Sequence, residues 1–83
     1  MKRAKKSRQK YSDDELIMIL SDAPTRANAI KYAARFQRSP EAIELIYKWA
    51  MTPLVTIKER GRGEDAFILQ VRSVAKERVG WLI

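Results

Sequence analysis

Apolar positions along the chain fall into four blocks with helical spacing, divided by Pro24, by Ser39-Pro40, and by the stretch from Pro53 to Gly63. In the first block Leu16, Ile17, Ile19 and Leu20 recur at i, i+3 and i+4, which predicts a helix over 11–21. Ser12 and Glu15 form a capping box in which each side chain satisfies the other's backbone N–H. Asp13, Asp14 and Glu15 then place three carboxylates at the positive end of the helix dipole. That position explains the acidic cluster without any catalytic role. Tyr11 precedes the cap, where a large apolar ring staples back onto the next turn.

The second block begins after Thr25, a suitable N-cap. Ala27, Ile30, Ala33, Ala34 and Phe36 are read as its buried side. Lys31, Arg35 and Arg38 at i, i+4 and i+7 form one stripe opposite. This helix ends near Gln37, because the residue before a proline is pushed out of the α region. A third helix starts at Pro40, with Ser39 as cap and the proline at the position where a missing N–H costs nothing. Ile43, Ile46, Tyr47 and Ala50 make its inner face. Glu41, Glu44 and Lys48 point outward, with Glu44 and Lys48 spaced for an ion pair. Leu45 and Trp49 share a flank that is read as the seat of the C-terminal segment or as a protein interface. Two helices separated by about two residues must turn sharply on each other, as in a helix-turn-helix.

Pro53 ends the third helix. Leu-Val-Thr-Ile at 54–57 is β-prone, but no partner strand exists elsewhere, so 54–60 reads as a short helix. Gly61-Arg62-Gly63 is a turn, because its spacing matches neither known phosphate-binding glycine motif. A last helix is predicted over 64–79, with Phe67, Ile68, Val71, Val74 and Ala75 as its apolar stripe and Gly80 as C-cap. Trp81-Leu82-Ile83 is expected to dock over Leu45 and Trp49, with a dimer seam as the competing role. The fold class is all-α: a three-helix helix-turn-helix bundle over 11–51 and a C-terminal helical extension over 52–83.

With 83 residues, this is one small domain. It has neither cysteine nor histidine, which removes disulfides, thiolate chemistry and the commonest acid–base residue and zinc ligand. No enzyme, metal or cofactor is expected. No apolar run approaches membrane-spanning length and no signal-peptide block opens the chain, so no membrane is expected. The expected setting is the cytoplasm, at a nucleoid or in a phage host, or the nucleus of a eukaryote.

Charge changes the picture more than composition does. The net charge is +7, and Lys2, Arg3, Lys5, Lys6, Arg8 and Lys10 account for six of the positive charges with no acid among them. Residues 11–83 carry 11 basic and 10 acidic side chains, a net of +1. Residues 1–10 therefore read as a basic arm, disordered alone and suited to displacing counterions from phosphates.

The stretch from Tyr11 to Ala50 resembles a Myb/SANT-like helix-turn-helix. Tyr11-Ser12-Asp13-Asp14-Glu15-Leu16 is similar to that family's opening, an aromatic followed by a capped acidic turn. Ile30 falls near its second bulky core position and Tyr47 at its third, after Arg38-Ser39-Pro40-Glu41-Ala42-Ile43. The resemblance implies a three-helix bundle that binds double-stranded DNA through its third helix, or a SANT-type module that binds protein. The candidate DNA contacts are then the six basic residues of the arm, Lys31, Arg35, Arg38, Arg60 and Arg62, with Ser39, Glu41, Glu44 and Lys48 on the third helix. Glu41 and Glu44 depart from a DNA-facing pattern, since carboxylates repel phosphates, although a carboxylate can accept from a cytosine amino group. The alternative is a protein partner or homodimer held by the apolar surface around Leu45, Trp49 and the C-terminus.

Overall fold

The computed structural model describes residues 10–83. The basic arm, apart from Lys10, lies outside the described residues. The order is α1 Asp13–Ser21, α2 Arg26–Phe36, α3 Pro40–Met51, α4 Leu54–Glu59 and α5 Ala66–Ser73, which runs on into a π-helical segment Val74–Val79. The fold is all-α, with no strand among the described residues. Local chemistry starts the first three helices and α5. The Ser12–Glu15 capping box is complete, and Thr25, Ser39 and Asp65 each accept from the backbone N–H three residues on. α5 starts two residues later than the predicted 64, because Asp65 caps it from outside.

α2 packs along α3, α5 packs on α3, and the π-helical segment packs along α1. The core contains Leu16, Ile19 and Leu20 of α1, Ile43, Ile46, Tyr47 and Trp49 of α3, and Ile57, Ile68, Val71 and Val74 from beyond Pro53. The extension is thus part of the same core as the three-helix bundle.

Three expectations are corrected here. The inner face of α2 is Ala29, Tyr32, Ala33 and Phe36, whereas Ala27, Ile30 and Ala34 face solvent, Ile30 at 51% exposure. The buried set still has i, i+3, i+4, i+7 spacing, but with a phase set by an alanine and a tyrosine. Tyr32 can be buried because its hydroxyl donates to Asp22. Second, Glu44 does not pair with Lys48. Arg26 reaches Glu44 at 2.8 Å and Glu41 at 3.5 Å across the α2–α3 interface. Third, the chain end does not settle over Leu45. Trp81 docks on α1 instead, its Nε1 donating to the Leu20 carbonyl at 2.9 Å.

The extension also closes α3. Arg72 donates to the carbonyls of Trp49 (3.2 Å), Ala50 (3.4 Å) and Thr52, which are left without intrahelical donors. Arg72→Ala should therefore lower stability by about 2 kcal/mol, in the range of hydrogen bonds made by a charged group. A urea denaturation midpoint reads the loss. An unchanged midpoint would mean that water caps α3 equally well.

Candidate nucleic-acid interface

The tight α2–α3 connection decides where the expected basic stripe goes. α2 ends at Phe36, and Gln37 adopts the left-handed conformation (φ 56, ψ 48). The Arg38 N–H then closes on the Ala33 carbonyl at 2.8 Å, a Schellman-type ending. Arg38 is thereby rotated off the helical progression of Lys31 and Arg35 and turned inward. Only 6% of the residue is exposed. Its guanidinium lies 3.7 Å from the centroid of the Tyr11 ring, donates to the Lys10 carbonyl at 3.4 Å and lies 3.8 Å from Glu15. Arg38 is therefore corrected from a phosphate contact to an internal tie between α1 and the turn.

Lys31 is also engaged, in an ion pair with Asp22 at 2.7 Å. Hydrogen bonds from Lys31 and then Tyr32 hold the Asp22 carboxyl below the usual carboxylate range. Arg35 remains exposed, with its guanidinium 5.9 Å from the Phe36 ring centroid. Ser39 is exposed, but its hydroxyl accepts from the Ala42 N–H at 3.1 Å. The outer side of α3 presents Glu41, Glu44, Leu45 and Lys48, with both carboxylates on Arg26. Arg26 thus neutralises both carboxylates of this outer side.

A second grouping forms at the other end of α3. Lys48 and Arg62 both lie over the Trp49 ring, at 5.4 and 5.3 Å from its centroid. Lys58 packs against the same loop so closely that a Cβ on Gly63 would sit 3.0 Å from its Cγ. Arg60 ends α4 and is exposed. Arg62 also pairs with Asp65 at 3.4 Å, and a hydrogen bond from the Ile68 N–H, then Arg62, lowers the Asp65 pKa. Trp49 itself is buried, so the apolar surface expected around Leu45 and Trp49 reduces to Leu45.

Of the candidate contacts, Lys2, Arg3, Lys5, Lys6 and Arg8 lie outside the described residues. Lys48 and Arg62 are brought together. Lys31, Arg35 and Arg38 do not form one surface. Sequence reasoning passed over Arg26, Lys58 and Arg72. Arg26 is one residue past a cap, and Arg72 lies mid-stripe in a helix, so only their partners reveal their roles. Lys58 leaves no trace in the sequence either, since its packing beside Gly63 depends on how the loop folds back. Among the described residues, no helix is long and apolar enough to cross a membrane.

The family described as "Uncharacterised protein PM1205 C-terminal domain" matches residues 5–82. The "Uncharacterized protein PM1205" of Pasteurella multocida (strain Pm70) is 40% identical over 68 residues, covering 82% of this chain and 54% of its own length. The chain thus spans about half the length of that relative. No solved structure matches the chain.

Proposed function

The chain belongs to the PM1205 C-terminal domain family, and because that membership specifies no activity, we propose from charge placement that it binds double-stranded DNA, as a small transcriptional regulator or architectural factor. The observation behind this reading is how the cations divide. Arg26, Arg38 and Arg72 are committed to holding helices together. Arg35, Lys48, Lys58 and Arg60 are exposed and form no ion pair among the described residues. The dense positive charge of residues 1–10 adds to them. In this reading the arm and these side chains bind phosphates, a contact that positions the protein without reading sequence. A Myb/SANT-like mode of binding would turn α3 toward the major groove, with Lys48 as its cationic contact. Glu41 and Glu44, tied to Arg26, make α3 a poor general reader of base edges.

A salt titration on one duplex tests this. The comparison is the intact chain against a chain starting at Lys10, whose carbonyl is kept because Arg38 donates to it. Each phosphate neutralised should contribute a log–log slope of about −0.9, so losing five basic residues should flatten the slope by about 4.5 units. Equal slopes would remove the arm from the interface. No saturable binding to random or genomic duplex would end the DNA reading.

A further inference from the structure

A run of exposed apolar side chains lies between α4 and α5. Leu54, Leu69 and Ile83, which are 40%, 42% and 42% exposed, line an open cleft of about 240 Å³ with Arg72, Ser73, Lys76 and Glu77. Val55 stands beside Leu54 and is exposed, and Leu82, next to Ile83, is wholly in solvent. Apolar side chains gathered at a surface cleft mark a site where a partner docks.

The charges on this surface narrow the choice of partner. Arg72 faces the carbonyls at the end of α3, so its charge is directed into the fold. The rim then offers one cation, Lys76, and one anion, Glu77, which accepts from Ser73 Oγ at 3.2 Å. With Arg72 beneath it, the lining carries both signs of charge and selects no strongly charged ligand. A projecting leucine stands beside an apolar cleft, and both signs of charge lie on the same face. An isologous contact needs this self-complementarity, since each protomer must supply both halves of every interaction.

We propose that a second copy of this chain docks on this cleft across a twofold axis, with Leu82 of each protomer entering the other's cleft and Lys76 of each facing the partner's Glu77. This inference is independent of the DNA reading, because none of its residues belongs to that interface. Dimerisation would still double the phosphate contacts available to one assembly.

Sedimentation equilibrium of the full chain without nucleic acid, from micromolar to millimolar concentration, is the test. The expected result is a monomer–dimer equilibrium. Leu82→Asp and Leu69→Asp should each weaken it by about tenfold or more, the effect of losing an interface anchor, and both are exposed, so circular dichroism should show unchanged helicity. Lys76→Glu alone and Glu77→Lys alone should weaken the dimer, while the double substitution should restore it, because the pairs re-form with reversed sign. A chain that stays monomeric throughout overturns the proposal. So does a dimer indifferent to the leucine substitutions, or one that the double charge reversal fails to restore.

Discussion

Tyr47→Ala is expected to lower stability by about 3–5 kcal/mol, the usual cost of emptying a buried aromatic site. A domain of this size has only about 5–15 kcal/mol in total, so the variant should be partly unfolded near physiological temperature. Tyr47 is buried in α3, and its hydroxyl donates to the Ile19 carbonyl of α1 at 2.7 Å. Tyr47→Phe keeps the ring and removes that bond, and should cost about 1 kcal/mol. Burial, followed by the nearby Tyr32 and Asp22, pushes the Tyr47 phenol up to about 12. The folded chain therefore holds this proton more tightly than the unfolded chain. The resulting stability is complete below pH 10 and is lost as pH rises from there through about 12. Thermal denaturation by circular dichroism across that window reads all three effects. A Tyr47→Ala melting temperature equal to that of the parent would place the side chain on the surface.

Arg38→Ala should be the second most damaging single change, at about 3 kcal/mol, the lower end of the cost of breaking a buried ion pair. The lower end applies because Glu15 keeps the Ser12 N–H at 2.9 Å when the arginine is gone. Tyr11 would lose the guanidinium on its ring and keep its stacking on Phe67, at 5.7 Å between centroids. Arg38→Lys should recover little, because an ammonium cannot lie flat on the ring. On the proposed DNA reading, duplex affinity of the folded fraction should stay unchanged. A fall in affinity without a fall in urea midpoint would return Arg38 to the interface.

These two residues mark what was legible in the sequence. The caps Ser12, Thr25 and Ser39, and the inner face of α3, follow from short-range chemistry that one strand of text displays. Arg38 does not. A stripe at i, i+4, i+7 assumes that the helix continues, and the helix stops one residue earlier because Gln37 takes a left-handed conformation. Ser39-Pro40 announced that the helix ends near Gln37, but no glycine marked the left-handed residue, so nothing local announced the direction in which Arg38 leaves the helix. The phase of α2 failed for a different reason. Ile30 is the most apolar residue of its helix, yet the helix buries Tyr32, whose hydroxyl finds Asp22 across a loop. Tertiary hydrogen bonding outweighed side-chain hydropathy there. The same limit hid the two carboxylates under Arg26, since a partner fifteen or eighteen residues away leaves no periodic trace.

The docking of Trp81 on Leu20 bears on how the protein reaches its native state. That hydrogen bond joins residues 61 apart, and Gln70 reaches the Tyr11 carbonyl across 59. Helical bundles with local contacts fold within microseconds to milliseconds, and rates fall as contacts become more distant in sequence. Here α2 and α3 give α1 part of its cover, and the rest comes only once the π-helical segment exists. On a ribosome adding about 5–20 residues per second, the apolar face of α1 waits several seconds for that cover. The acidic first turn of α1, with Asp13, Asp14 and Glu15, leaves one end of the waiting helix charged.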